Sequence, residues 1–193
     1  MFVALVPPEP ALEDLAEFLA PRHEAGPELR WTVPEQWHVT LAFLPDVADR
    51  HLDDLVERLG RAAARRTPFR TVLVGGGAFP DATRAKVVYA GVRPLDEPGS
   101  TELGRLATGA RAAASRAGTT VEGGAFHPHL TLARSGRPIE ASRWLRVLDS
   151  YRGPEWTALE VALIASHLGE GPRRRPRYER VATFEVGRRP EAA

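Results

Sequence analysis

Hydrophobic and polar positions switch between two periods along this chain. Phe2 to Val6 is an unbroken apolar run stopped by Pro7 and Pro8, which predicts a short buried strand. Ala11, Leu12, Leu15, Phe18 and Leu19 then recur at helical spacing with acids between them, so Pro10 to Ala20 reads as an amphipathic helix closed by Pro21. Leu29 to Val33 and Trp37 to Leu44 have strand character around a Pro34-Glu35-Gln36 turn. Asp46 looks like the N-cap of a helix running to about Arg66, with Leu52, Leu55, Val56 and Leu59 on one face. Phe69 to Phe79 and Lys86 to Val92 predict a hairpin, with Gly75-Gly76-Gly77 weakening or bulging its first strand. A helix from Leu95 to Ala117, a strand from Phe126 to Ala133, a short helix from Pro138 to about Leu148, and strands at Thr157 to His167 and Tyr178 to Val186 complete the order. Helices interleaved with antiparallel hairpins favour an α+β fold over a parallel doubly wound one.

One long-range echo stands out in that order: HVTLAFL begins at His38 and HLTLAR at His129, 91 residues apart and close to half the chain. Two similar halves are the expectation, and with 193 residues they fit one domain of two interleaved lobes.

Composition changes the picture mainly by exclusion. With 43% hydrophobic and 26% charged residues the chain is an ordinary globular protein rather than a disordered one. Twenty-six basic against 25 acidic side chains leave a formal charge of +1, so any recognition of phosphate has to be local. The absence of cysteine removes disulfides, thiol nucleophiles, iron–sulfur centres and Cys-ligated zinc. The opening MFVALVPPEP has no basic segment and too short an apolar run for a signal or a membrane span, so a soluble cytoplasmic protein without membrane contact is expected.

Candidate chemistry lies in the echo. Side chains at i and i+2 of a strand point the same way, so His38 with Thr40, and His129 with Thr131, each share a polar face while the alternate residues anchor the strand. Two imidazoles supply an acid and a base matched to proton transfer near neutral pH. Two hydroxyls can hold phosphoryl oxygens. If the halves are related by a pseudo-two-fold, the imidazoles face one another across a cleft and can serve the attacking and leaving oxygens of an in-line displacement at phosphorus without a metal. A single H-x-T is usually only a hydrogen-bonded strand histidine, and it is the doubling that points to function. His127 and His129 could alternatively start a metal site, although no acid lies in these strands to extend it.

The segments RWTVPEQWHVTLAFL and FHPHLTLAR resemble the two signatures of the 2H phosphoesterase superfamily, in particular the RNA 2′,3′-cyclic phosphodiesterases also called 2′-5′ RNA ligases. FVALVPP, PFRTVLVGGGAFP and LIASHLGEGPRRRPRYERVATFEV extend the likeness over most of the chain, and Pro128, His129, Thr131 and Arg134 match together. The resemblance implies a bilobal α+β fold with two facing antiparallel sheets, outer helices and a central cleft. It implies that an RNA 2′,3′-cyclic phosphate, or a small cyclic nucleotide, is opened there to a 2′-phosphate, with no cofactor and with reverse 2′-5′ ligation as an accompanying activity. By the same likeness His129 is the general base, His38 the general acid, Thr40, Thr131 and Arg134 the phosphate contacts, and Phe43 a nucleoside contact.

Two of those residues conflict with simple alternation. Phe43 and Arg134 each follow their histidine by five positions, so in a regular strand they face away from it, and a bulge or strand end is needed to bring them round. Arg173, Arg174, Arg175 and Arg177 form a basic loop that is either solvated or set against an RNA backbone. His23 and His51 are expected at the surface, His167 at a strand edge or cleft wall, and His127 beside His129 or at the surface. Since both halves of the cleft come from one chain, a monomer is expected. The competing reading, from another class, is a noncatalytic RNA- or nucleotide-binding module on the same fold.

Overall fold

A computed structural model describes residues 1–26, 28–172 and 175–187. Its strands are β1 (Phe2–Leu5), β2 (Arg30–Trp31), β3 (Val39–Phe43), β4 (Phe69–Phe79), β5 (Ala85–Pro94), β6 (His129–Ile139), β7 (Arg152–Ala158), β8 (Glu160–His167) and β9 (Arg177–Glu185), and its α-helices are α1 (Glu9–Leu19), α2 (Asp49–Ala64), α3 (Glu97–Arg116) and α4 (Ser142–Leu148). The strands form an antiparallel sheet in the order β7-β4-β5-β6-β3-β1-β8-β9, with β2 also on β6. This order divides into two four-stranded wings, β7-β4-β5-β6 and β3-β1-β8-β9, and each wing meets the other through its motif strand. A single register pair, Val39 opposite Leu130, stitches β3 to β6 before β2 takes over that edge.

Sequence alternation explains which face is which. Val3 and Leu5 of β1, Val39 of β3, and Leu130 and Leu132 of β6 are fully buried in the main core. That core also takes Leu15 of α1, Leu55 and Leu59 of α2, Leu103 and Leu106 of α3, and Trp144 and Leu148 of α4. Each such side chain contributes roughly 1.5–3 kcal/mol on burial, so the helices are held to this face chiefly by their apolar stripes. Phe2 and Ala4 point the other way, into a small second cluster with Ala162 and Ile164. The sheet face opposite the helices is thereby left for the polar residues.

The expected strand from Thr157 to His167 is two strands. Leu159 separates β7, which pairs with β4 at one edge of the sheet, from β8, which lies between β1 and β9 near the other. One intervening residue cannot span an open sheet, so the sheet is curled until its two ends approach. Pro138 continues β6 instead of starting a helix. The ladder is irregular between the pairs Val87–Arg134 and Ala85–Ile139, and a residue without an N–H is tolerated there. Asp46 does not cap α2, which starts after Ala48 without a side-chain cap, whereas Asp96 caps α3 by accepting from Gly99 N at 2.7 Å. Gly75 has φ +60° beside the bulge in β4, and a Cβ on Gly77 would strike the Tyr89 ring, so the glycine run makes room for an aromatic that borders the site. Among the described residues no helix is long and apolar enough to cross a membrane.

Candidate active site

The seam between the wings sets the site's geometry. With Val39 opposite Leu130, antiparallel register continued one residue to either side places His38 across from Thr131 and Thr40 across from His129. The seam pair itself is fully buried in the core, and its four neighbours face the opposite side. All six residues singled out in the sequence, His38, Thr40, Phe43, His129, Thr131 and Arg134, line one cleft of about 180 Å3.

Equivalent bulges bring in the two that alternation would have buried. In β3, Ala4 pairs with Thr40 but Val3 with Ala42, so Leu41 is the extra residue. In β6, Tyr89 pairs with Thr131 but Val88 with Ala133, so Leu132 is the extra one. Each inserted leucine stays in the core, and the residue two further on, Phe43 or Arg134, turns to the cleft face. Phe43 is 44% exposed there, which a core role would not allow.

Both imidazoles are held in the same way. His38 Nδ1 lies 2.7 Å from the Gln36 carbonyl oxygen, and His129 Nδ1 lies 2.8 Å from that of His127. A carbonyl can only accept, so Nδ1 carries a proton in each ring and Nε2 is the atom free to take or give one. The surroundings differ. The His38 ring stacks on Phe2 with centroids 4.4 Å apart and meets the edge of Tyr178 at 5.6 Å. The His129 ring meets Phe79 at 5.0 Å and Tyr89 at 5.2 Å, and the Tyr89 hydroxyl is hydrogen-bonded to His127 Nε2 at 3.0 Å.

Burial pushes His38 down to about 4; its bond to the Gln36 carbonyl opposes this, and positive charge on His129 and Arg134 adds to it. Burial also lowers His129, against its bond to the His127 carbonyl and with a further push from His127 and Arg134. Burial raises Tyr178, which the Arg134 charge opposes. Arg134 has no carboxylate partner among the described residues, and no acid among them lines the cleft. Neither Thr40 nor Thr131 spends its hydroxyl on another described side chain or carbonyl. The result is a pocket with two Nε2 atoms, two free hydroxyls and one free guanidinium, suited to an anion with oxygens on several sides.

A family model described as the 2′-5′ RNA ligase superfamily matches residues 6–170. The chain belongs to that superfamily. A relative from Geobacillus stearothermophilus, named RNA 2′,3′-cyclic phosphodiesterase, is 27% identical over 187 residues, covering 96% of this chain but 56% of its own length. The solved Thermus thermophilus protein TT0787 superposes with a TM-score of 0.76 at 28% identity, covering 96% of this chain and 97% of that one. Escherichia coli LigT in complex with 3′-AMP superposes with a TM-score of 0.74 at 26% identity, covering 96% of each chain. Further curated relatives of this member of the 2′-5′ RNA ligase superfamily, from Aquifex aeolicus and Aeropyrum pernix, carry the same name, RNA 2′,3′-cyclic phosphodiesterase.

Several lining residues escaped sequence reasoning. Phe2, Thr32, Gln36, Ser166 and Tyr178 complete the cleft wall. Phe2 reads as an ordinary core position and reaches the cleft only because β1 lies beside β3. His127 does more than lie nearby, since its carbonyl orients the His129 ring. Arg177 is committed to Glu170 and Glu179 at 2.9 and 3.1 Å, and His167 to Glu179 at 3.1 Å. Arg173 and Arg174 lie outside the described residues. Among those described, no group of three or more His, Asp or Glu residues is placed to hold a metal ion.

Proposed function

We propose that this cleft hydrolyses the 2′,3′-cyclic phosphate of an RNA end, or of a small cyclic nucleotide, to a 2′-phosphate by two-histidine acid–base catalysis without a metal. The observation that carries this reading is the pairing of two imidazoles with identically fixed Nδ1–H groups in one carboxylate-free cleft. A site built for binding alone has no need of two free Nε2 atoms beside a phosphate-sized set of donors. LigT, a structural neighbour, is known in complex with 3′-AMP, which suits a nucleotide as the ligand here.

In the proposed reaction the Thr40 and Thr131 hydroxyls and the Arg134 guanidinium bind the nonbridging oxygens of the cyclic phosphate, and Phe43 lies against the nucleoside. His129 Nε2 takes a proton from water as the water oxygen bonds to phosphorus. The P–O3′ bond breaks, and His38 Nε2–H protonates the departing O3′. The protons then exchange with solvent to restore both rings. With its value lowered to about 4, His38 is neutral at pH 7, so it acts as a donor only once the phosphate anion offsets its burial and the Arg134 charge. When a 5′-hydroxyl takes the place of water, the same steps form a 2′-5′ linkage, which is the ligation reading. Both halves of the cleft come from one chain, which suits a monomer.

The test is incubation with a short RNA ending in a 2′,3′-cyclic phosphate in the presence of EDTA, with the product terminus identified by mass and by sensitivity to phosphatase. A 2′-phosphate is expected. Binding without turnover would move the assignment to a recognition module.

A further inference from the structure

Between α2 and α3 runs a groove of about 660 Å3 lined by Arg58, Arg61, Arg65, Arg66, Arg105 and Arg116. No carboxylate among the described residues lines it. Asp54, Glu57 and Glu102 sit beside it, each within ion-pair distance of one or two of these arginines. Six guanidinium groups against those three carboxylates leave an excess of three positive charges, in a chain whose total is +1. Arg58 engages Asp54 through Nε and Arg105 engages Glu102 through Nη1, so each keeps further N–H donors. Arg65 and Arg116 have no partner among the described residues. A solvated helix face normally mixes its signs along the surface, whereas this groove keeps its acids at the margin.

The groove also adjoins a cavity whose wall reaches the strand that carries His129. Phe126 and Gly104 line both the groove and an adjoining cavity of about 380 Å3, whose wall includes Arg93, His127 and Pro128. His129 follows Pro128 directly and pairs with Gly91, a further residue of that wall. Phe126 stands three residues before His129, no more than about 11 Å even along a fully extended chain.

From this charge and adjacency we propose that the α2–α3 groove binds the phosphodiester backbone of the RNA strand whose cyclic end occupies the cleft. This rests on the function proposed above and extends it, making a strand of several nucleotides, rather than a free cyclic mononucleotide, the better substrate. Arginine suits such a track because its planar fork matches phosphate oxygens in pairs.

The test compares adenosine 2′,3′-cyclic phosphate with a single-stranded RNA of about 12 nucleotides ending in the same group, at about 50 and about 200 mM salt. The full chain and the doubly substituted Arg65→Gln/Arg116→Gln protein are assayed side by side. The unsubstituted protein should favour the longer substrate, and that preference should fall with salt. The double substitution should lower kcat/KM for the longer RNA about tenfold, mainly through KM, and leave the mononucleotide within about twofold, which also reports an intact fold. Equal losses on both substrates, or no loss on the longer RNA at low salt, would overturn the proposal. If the unsubstituted protein turns over neither substrate, the catalytic reading fails on its own, and fluorescence anisotropy with the same RNA decides about the groove. Binding weakened about tenfold by the substitutions upholds the groove, and unchanged binding overturns it.

Discussion

The two halves of the cleft share one backbone plan and differ in what they hang on it. In each, a histidine bonds through Nδ1 to the carbonyl two residues before it, a threonine follows at the second position, and a bulged leucine follows at the third. The divergence comes at the fifth position, where one half has Phe43 and the other Arg134. It continues in the packing. His38 is wedged against Phe2 and Tyr178, while His129 borders Phe79, Tyr89 and the more exposed His127 segment. On the proposed reading, this duplicated scaffold sets two like groups about a phosphate, while its neighbours give one half affinity for charge and the other affinity for a ring.

Removing either histidine tests the shared plan and should have the largest effect. His38→Gln and His129→Gln should each lower kcat by about 10²- to 10⁴-fold with a cooperative melt retained, and the double substitution should cost little more than the worse single one, because in the proposed mechanism both rings act on one transition state. Steady-state rates and thermal denaturation of the three proteins check this. The difference at the fifth position is next. Arg134→Ala should lower kcat/KM by roughly tenfold to a hundredfold for any cyclic phosphate, with Arg134→Lys recovering part of the loss. Phe43→Ala should cost less, about fivefold to tenfold and chiefly in KM, since a stacked ring mainly adds binding energy. A loss in Phe43→Ala equal to that in Arg134→Ala would erase the proposed distinction between the halves.

Much of this plan was legible in the sequence, because it depends on a repeat and on strand parity. The polar face of His38, Thr40, His129 and Thr131 needed only alternation. The bulges were not legible: Leu41 and Leu132 are apolar, fully at home in the core, and nothing about a leucine marks it as the inserted residue. The same limit applied at Leu159, where an exposed apolar residue inside a strand-like run proved to be a crossing from the edge strand β7 to β8, next to the opposite edge. Phe2 and Tyr178, at opposite ends of the chain, could be joined to His38 only by topology, since β1 lies between β3 and β8 and β8 pairs with β9.

The unequal packing of the rings has pH consequences of smaller size. In the free enzyme both imidazoles lie below their ordinary value, so the optimum of kcat/KM should fall below about pH 6.5, whereas kcat, which reports the substrate complex, should peak at higher pH. An optimum of kcat/KM above about 7 would contradict this. Stability follows the same group. Folded His38 titrates near 4 and the unfolded imidazole near 6.5, so between these values the unfolded chain binds more protons. The stability associated with a neutral, buried His38 is present above about pH 6.5 and is lost as pH falls through 4, by roughly 3 kcal/mol in all. His38→Gln should therefore flatten the dependence of denaturation midpoint on pH across this window, and His129→Gln should do so less.

The division of labour between the two rings is the central claim, and it is tested most directly by replacing the departing O3′ of the cyclic phosphate with sulfur. A thiolate leaves without being protonated, so His38→Gln should recover most of its lost rate on this substrate while His129→Gln remains as slow as on the oxygen one. Equal recovery by both variants, or recovery by His129→Gln alone, would contradict the assignment of acid and base.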